Sequence, residues 1–108
     1  MILVCFDVDG TLDCSAGPVP EALLTALMGV SAGVVVVSPS GAYRGGHTRI
    51  ADKPSRRENL LAARELYKST RGTDPFVRLY VSDNKDYAEA EAAGFCYIEA
   101  AEFAKGIR

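Results

Sequence analysis

None of the apolar runs in this 108-residue sequence is longer than about six residues, far short of the roughly twenty a membrane-spanning helix needs. No basic region leading into a long apolar stretch is present, so nothing points to export or a membrane anchor. Cysteine is scarce and unpatterned. Cys5, Cys14 and Cys96 are odd in number and lack any CxxC or Cys/His ligand spacing, so they read as small hydrophobes in a reducing, cytoplasmic setting. The single histidine, His47, sits in a glycine-rich loop with no second His or Cys at ligand spacing, and reads as solvated or substrate-facing rather than metal-binding. Charge of either sign is nearly balanced: 12 basic against 14 acidic residues give a net charge of −2 and a pI near 5.3. Without a basic field, charge gives no support to a nucleic-acid partner. Repeats and low-complexity tracts are also missing, and the length suits one domain spanning 1–108 with a single modest core.

The remaining pattern alternates. Met1 to Phe6 is a nearly continuous apolar run rich in branched residues, the mark of a strand covered on both faces. A polar connection, Asp13 to Pro20, leads to a helix over about Pro20 to Met28, with proline where a helix start tolerates it and Glu21 where the dipole favours an acid. Val34 to Val37 form a second strand, broken by Ser38, Pro39 and Gly41. "GAYRGGHTRIA" holds too many glycines for a helix, though "HTRIA" has room for a short extended piece. Ser55 and Glu58 have capping-box spacing, and Leu60, Ala63 and Tyr67 recur at helical intervals, which predicts about four turns ending at Gly72. A strand in "FVRLYVSDN", a helix in "KDYAEAEAAG", a strand in "FCYIEA" and a last short helix complete the chain. This order predicts an α/β fold, Rossmann-like, with three α/β/α layers around a central parallel sheet of four to five strands.

Ligands of such sheets bind beyond the carboxyl ends of the strands. There the sequence places Asp7 and Asp9 after the first strand, Ser38 after the second and Asp83 after "LYV", with Lys53 near the start of the long helix. Two carboxylates as close as Asp7 and Asp9 repel and lose hydration unless a cation or a shared proton sits between them. Oxygen donors from Asp7, Asp83 and a backbone carbonyl suit Mg²⁺ holding a substrate phosphate. Ser38 and Lys53 would then satisfy and neutralise further phosphate oxygens, as phosphoryl transfer requires. Asp7 is placed to attack phosphorus, and Asp9 to protonate the leaving oxygen and later deprotonate water.

With these residues in order, the sequence resembles the haloacid dehalogenase (HAD) superfamily of Mg²⁺-dependent phosphohydrolases. The resemblance runs through "FDVDGTL" (Phe6 to Leu12), "VVVVS" (Val34 to Ser38), "DKPS" (Asp52 to Ser55) and "YVSDNKDYAEAEAAGF" (Tyr80 to Phe95). It implies a phosphatase working through an aspartyl phosphate, with Asp7 as nucleophile and Asp9 as general acid/base. Metal would be held by Asp7, Asp83 and the Asp9 carbonyl, and phosphate by Ser38 and Lys53, with Gly10 and Thr11 beside them. Asn84 and Asp86 are secondary candidates. In much of the family three residues separate the two acids of the last motif, but here only Asn84 and Lys85 do, so the loop is one residue shorter. Neither interval that carries a cap domain in the family is long enough for one. The resemblance therefore implies a capless, open site, covered by a neighbouring subunit in a homo-oligomer or by the substrate itself. That substrate is a small phosphosugar or the phosphate end of a larger molecule. Arg56 and Arg57 stand in the first turn of a helix, where the dipole disfavours them, and this hints at a phosphate nearby. Two rivals stay open: a receiver-like phospho-acceptor, for which the second strand ends in no Asp, and a non-catalytic or regulatory module that keeps the metal and phosphate site.

Overall fold

In the computed structural model the described residues are 2–30, 32–37, 47–50, 55–83 and 86–106. Strand β1 (Ile2–Phe6) leads through a short 3₁₀ turn (Asp13–Ser15) to helix α1 (Glu21–Gly29) and strand β2 (Gly33–Val37). Strand β3 (Arg49–Ile50), helix α2 (Arg56–Arg71) and strand β4 (Val77–Ser82) follow. Helix α3 (Tyr87–Ala92), strand β5 (Cys96–Glu99) and helix α4 (Ala100–Lys105) end the chain. The five strands form one parallel sheet in the order β3-β2-β1-β4-β5. Among the described residues no helix is long and apolar enough to cross a membrane.

Both faces of the sheet are buried, which is why its strands read as unbroken apolar runs. Leu3, Cys5, Val35 and Val37 point to one face and pack against Leu60, Ala63 and Tyr67 of α2, Ala90 of α3, and Phe95. Their neighbours Val4, Phe6, Val34 and Val36 point to the other, against Leu24 of α1 and Ala100 of α4. The three-layer architecture expected from the alternating pattern is therefore present. Its third strand is rudimentary: Arg49 and Ile50 pair with Val36 and Val37, and two residues at a sheet edge carry no readable periodicity.

Strand order decides where a ligand would sit. From β1 the chain moves to β2 and β3 on one side, then returns to β4 and β5 on the other. The connections from the two central strands leave in opposite directions, which opens a crevice beyond the carboxyl ends of β1 and β4.

Helix α2 bounds that crevice, and local chemistry fixes its start. Ser55 is the N-cap, and its Oγ accepts a hydrogen bond from the Glu58 N–H at 3.2 Å; Gly72, at φ 76°, closes the other end. Ser55→Ala should lower stability by about 1 kcal/mol, and Ser55→Asp should retain most of it, as read by urea denaturation. Equal stability of wild type and Ser55→Ala would show that the cap contributes nothing.

Candidate active site

The site is built on one backbone bond. The Asp7 N–H donates to the Val81 carbonyl at 3.0 Å, so the β1–β4 ladder continues one residue beyond β1 and holds Asp7 in the crevice mouth. Its carboxylate is only 4% exposed. Oδ1 accepts from Arg56 Nη2 at 3.0 Å, and Oδ2 faces the Ser82 hydroxyl at a long 3.4 Å. Asp9 is exposed to solvent, two residues further on.

The chain then turns sharply. Thr11 and Leu12 N–H groups donate to the Val8 carbonyl, Gly10 N–H donates to Ser15 O, and Gly10 takes φ 72°. A side chain at Gly10 would collide with the Asp83 carboxylate, so the glycine is what lets β4's terminal acid fold over the Asp7–Asp9 turn. Asp83 is thus delivered to the turn, as its place after "LYV" predicts. Thr11 is fully buried, and its hydroxyl has no hydrogen-bond partner among the described residues. Asp13 Oδ1 accepts from the Glu21 N–H at 3.1 Å and so satisfies the start of α1, where Pro20 offers no capping side chain.

Electrostatics at Asp7 are set by burial. Its pKa is pushed up to about 6, chiefly by desolvation, against which the attraction of Arg56 works and loses; the charges of Asp83 and Asp86 push it further up. At pH 7 the carboxylate is still ionised by roughly ten to one. An ionised, poorly hydrated carboxylate at the end of the central strand is a competent nucleophile.

Arg56 was noticeable in the sequence only as a misplaced charge. In the fold its guanidinium lies between two acids: besides Asp7, Asp86 Oδ2 stands 3.9 Å from Nε. Its Cζ lies 5.7 Å from the Tyr80 ring centre, near enough for a cation–π contact. Tyr80 Oη in turn donates to Asp86 Oδ2 at 3.2 Å, and Asp86, although it is the N-cap residue of α3, makes no side-chain cap there. Behind them Tyr97 Oη donates to the Ser82 carbonyl at 2.8 Å. Arg57 has a different explanation: its backbone N–H donates to Glu89 at 2.8 Å, so a carboxylate of α3 supplies the negative charge that α2's first turn favours. The arginine-to-phosphate hint thus narrows to Arg56.

Ser38, Lys53 and Asn84 lie outside the described residues. Asp7, Gly10 and Asp83 are brought together, with Asp9 on the same turn, and Asp86 joins through Arg56. His47 departs from the solvated reading. Its side chain is 13% exposed and packs on α1, with Nε2 at 3.1 Å from Thr25 Oγ1 and Nδ1 at 3.7 Å from Glu21. A cavity of about 220 Å³ opens at the opposite end of the sheet, beside Leu3, Gly33 and Tyr67, but its lining contains no acid.

The donor set tests the implied cation. Asp7 and Asp83 offer hard oxygen donors across Gly10, and a divalent cation there would offset both the desolvation that chiefly raises the Asp7 pKa and the smaller repulsion from Asp83. In chemistry the residues fit Mg²⁺. Among the described residues, however, no cluster of three His, Cys, Asp or Glu side chains stands ready as a metal site, so a backbone carbonyl or water must complete any shell. Comparison with protein-family models, with curated proteins and with solved structures finds no match to this chain.

Burial of Asp7 makes a pH prediction. Because its folded pKa of about 6 lies above the ordinary value of 3.8, the native state holds the extra proton between those limits. Stability is then highest below pH 4 as far as this group is concerned, and falls as pH rises through 6, by up to about 3 kcal/mol. In chelator, the melting temperature of Asp7→Asn relative to wild type should climb between pH 4 and pH 7. A flat or falling difference would show that Asp7 is not desolvated.

Proposed function

We propose that this protein is a Mg²⁺-dependent phosphatase of the HAD type, hydrolysing phosphate monoesters through an aspartyl phosphate on Asp7. The observation that carries this reading is the desolvated, still ionised Asp7 carboxylate at the mouth of the β1–β4 crevice, with Asp83 folded over the adjoining turn. The strand order supports it, because the crevice lies at the point where the connections diverge.

Asp7 attacks phosphorus as the bond to the leaving oxygen breaks, and Asp9 gives that oxygen its proton. Asp9, now a carboxylate, takes a proton from water as the water attacks the aspartyl phosphate; the bond to Asp7 breaks and inorganic phosphate leaves. Exposure of Asp9 fits this work, since it must reach both the leaving group and solvent. Asp7, Asp83 and the Asp9 carbonyl would hold Mg²⁺, which supplies charge stabilisation for the phosphoryl oxygens. Ser38 and Lys53 would complete the phosphate pocket.

A second reading, a non-catalytic module that binds metal and phosphate, draws on the Asp7–Arg56 pair, since an arginine can neutralise this carboxylate without any metal. Turnover separates the two. Against a panel of phosphate esters, hydrolysis should require Mg²⁺ and cease on chelation, and Asp83→Ala should raise the metal concentration needed. Asp7→Asn should abolish turnover, while Asp9→Asn should slow alkyl phosphates by roughly 10²–10⁴-fold and aryl phosphates much less. Turnover that survives chelation, or Asp83→Ala titrating with metal as wild type does, would overturn the assignment; no turnover on any ester would favour the binding module.

A further inference from the structure

Arg56 has more hydrogen-bonding capacity than the described residues use. Its side chain is nine-tenths buried, with 10% exposed, yet Nη1 has no hydrogen-bond partner among the described residues. A buried guanidinium donor left unmade costs more than a kilocalorie-scale neutral bond, because the charged group has lost its water. Such a donor at a crevice mouth calls for an acceptor that comes and goes. Asp7 is a poor permanent partner. In the proposed reaction one of its oxygens attacks phosphorus and the other holds the metal, and a guanidinium on Oδ1 competes with both uses.

We propose that Arg56 is a phosphate-binding residue that exchanges partners: it neutralises Asp7 in the empty site and moves to the phosphoryl oxygens of a phosphate monoester when one enters. The inference rests on the phosphatase reading for its substrate class. Nη1–H, the unused donor, makes the first contact, and the planar fork then offers two parallel donors to two phosphoryl oxygens. Asp86 is the second seat that makes the exchange economical. At 3.9 Å from Nε, and fixed by the Tyr80 hydroxyl, it keeps the guanidinium charge balanced and the side chain on the Tyr80 ring while Nη2 leaves Asp7. Asp86 is therefore a positioning residue for Arg56 rather than a metal ligand, which accounts for its failure to cap α3.

Binding of inorganic phosphate in the presence of Mg²⁺, and of Mn²⁺ alone as a paramagnetic stand-in, tests this without requiring turnover. Arg56→Gln should weaken phosphate binding roughly 10- to 100-fold while leaving Mn²⁺ binding equal or tighter, since a competing cation has been removed. Arg56→Lys, which keeps the charge but not the fork, should fall between, and it serves if the Gln variant does not fold. Asp86→Asn should weaken phosphate more than Mn²⁺. If turnover is present, the Arg56→Gln loss should appear mainly in KM. Unchanged phosphate affinity in both Arg56 variants, a parallel loss of phosphate and Mn²⁺, or no phosphate binding by the wild type would each overturn the proposal. Phosphate bound through Arg56 by a protein that hydrolyses no ester would instead overturn the phosphatase reading and leave this one standing.

Discussion

Everything at the crevice depends on one carboxylate being held where water cannot reach it. Asp7 is fixed by a backbone bond to β4, so its position is set by the sheet rather than by a loop, and its burial cannot relax without breaking the central strand pair. Removing most of its hydration favours the protonated form more strongly than Arg56 favours the charged one. The result is a group that is unstable as an isolated anion and stabilised by any cation or electrophile that arrives.

The neighbours follow from that instability. Gly10 gives up a side chain so that Asp83 can approach, Arg56 reaches Asp7 from the first turn of α2, and Tyr80 and Asp86 hold Arg56 from behind. An aliphatic residue at position 7 would bury as well without an ion pair, and replacing buried charges by apolar groups is often neutral or stabilising. A desolvated acid beside an arginine donor that has no partner among the described residues costs stability, which the proposed reactive site would explain.

Much of this was legible from the chain. Unbroken branched runs such as "ILVCF" and "GVVVV" specify doubly covered strands, and the Ser55 to Glu58 spacing with Gly72 specifies α2 closely. The acids after the first and fourth strands were placed at the correct sheet edge because in a parallel sheet every strand ends on the same side. What stayed hidden is long-range. Arg56 and Asp7 are 49 residues apart, and no local rule pairs them; the only trace was a positive charge at the wrong end of a helix dipole. Tyr80 lies in a strand that the sequence shows, but nothing local tells that this buried residue's hydroxyl serves Asp86. β3 was foreshadowed only as a short extended piece in "HTRIA", because two edge residues have no period, and the docking of His47 escaped because a glycine-rich flank looks solvated even where the next side chain packs on α1.

Mass-spectrometric mapping of the protein after brief exposure to acetyl phosphate and Mg²⁺, with acid quenching, tests the proposed reactive carboxylate most directly. The account predicts one acid-stable, hydroxylamine-sensitive phosphoryl group on the peptide bearing Asp7, absent in Asp7→Asn and longer-lived in Asp9→Asn. Phosphoryl transfer that labels another residue, or ester turnover with Asp7 never labelled, would contradict it.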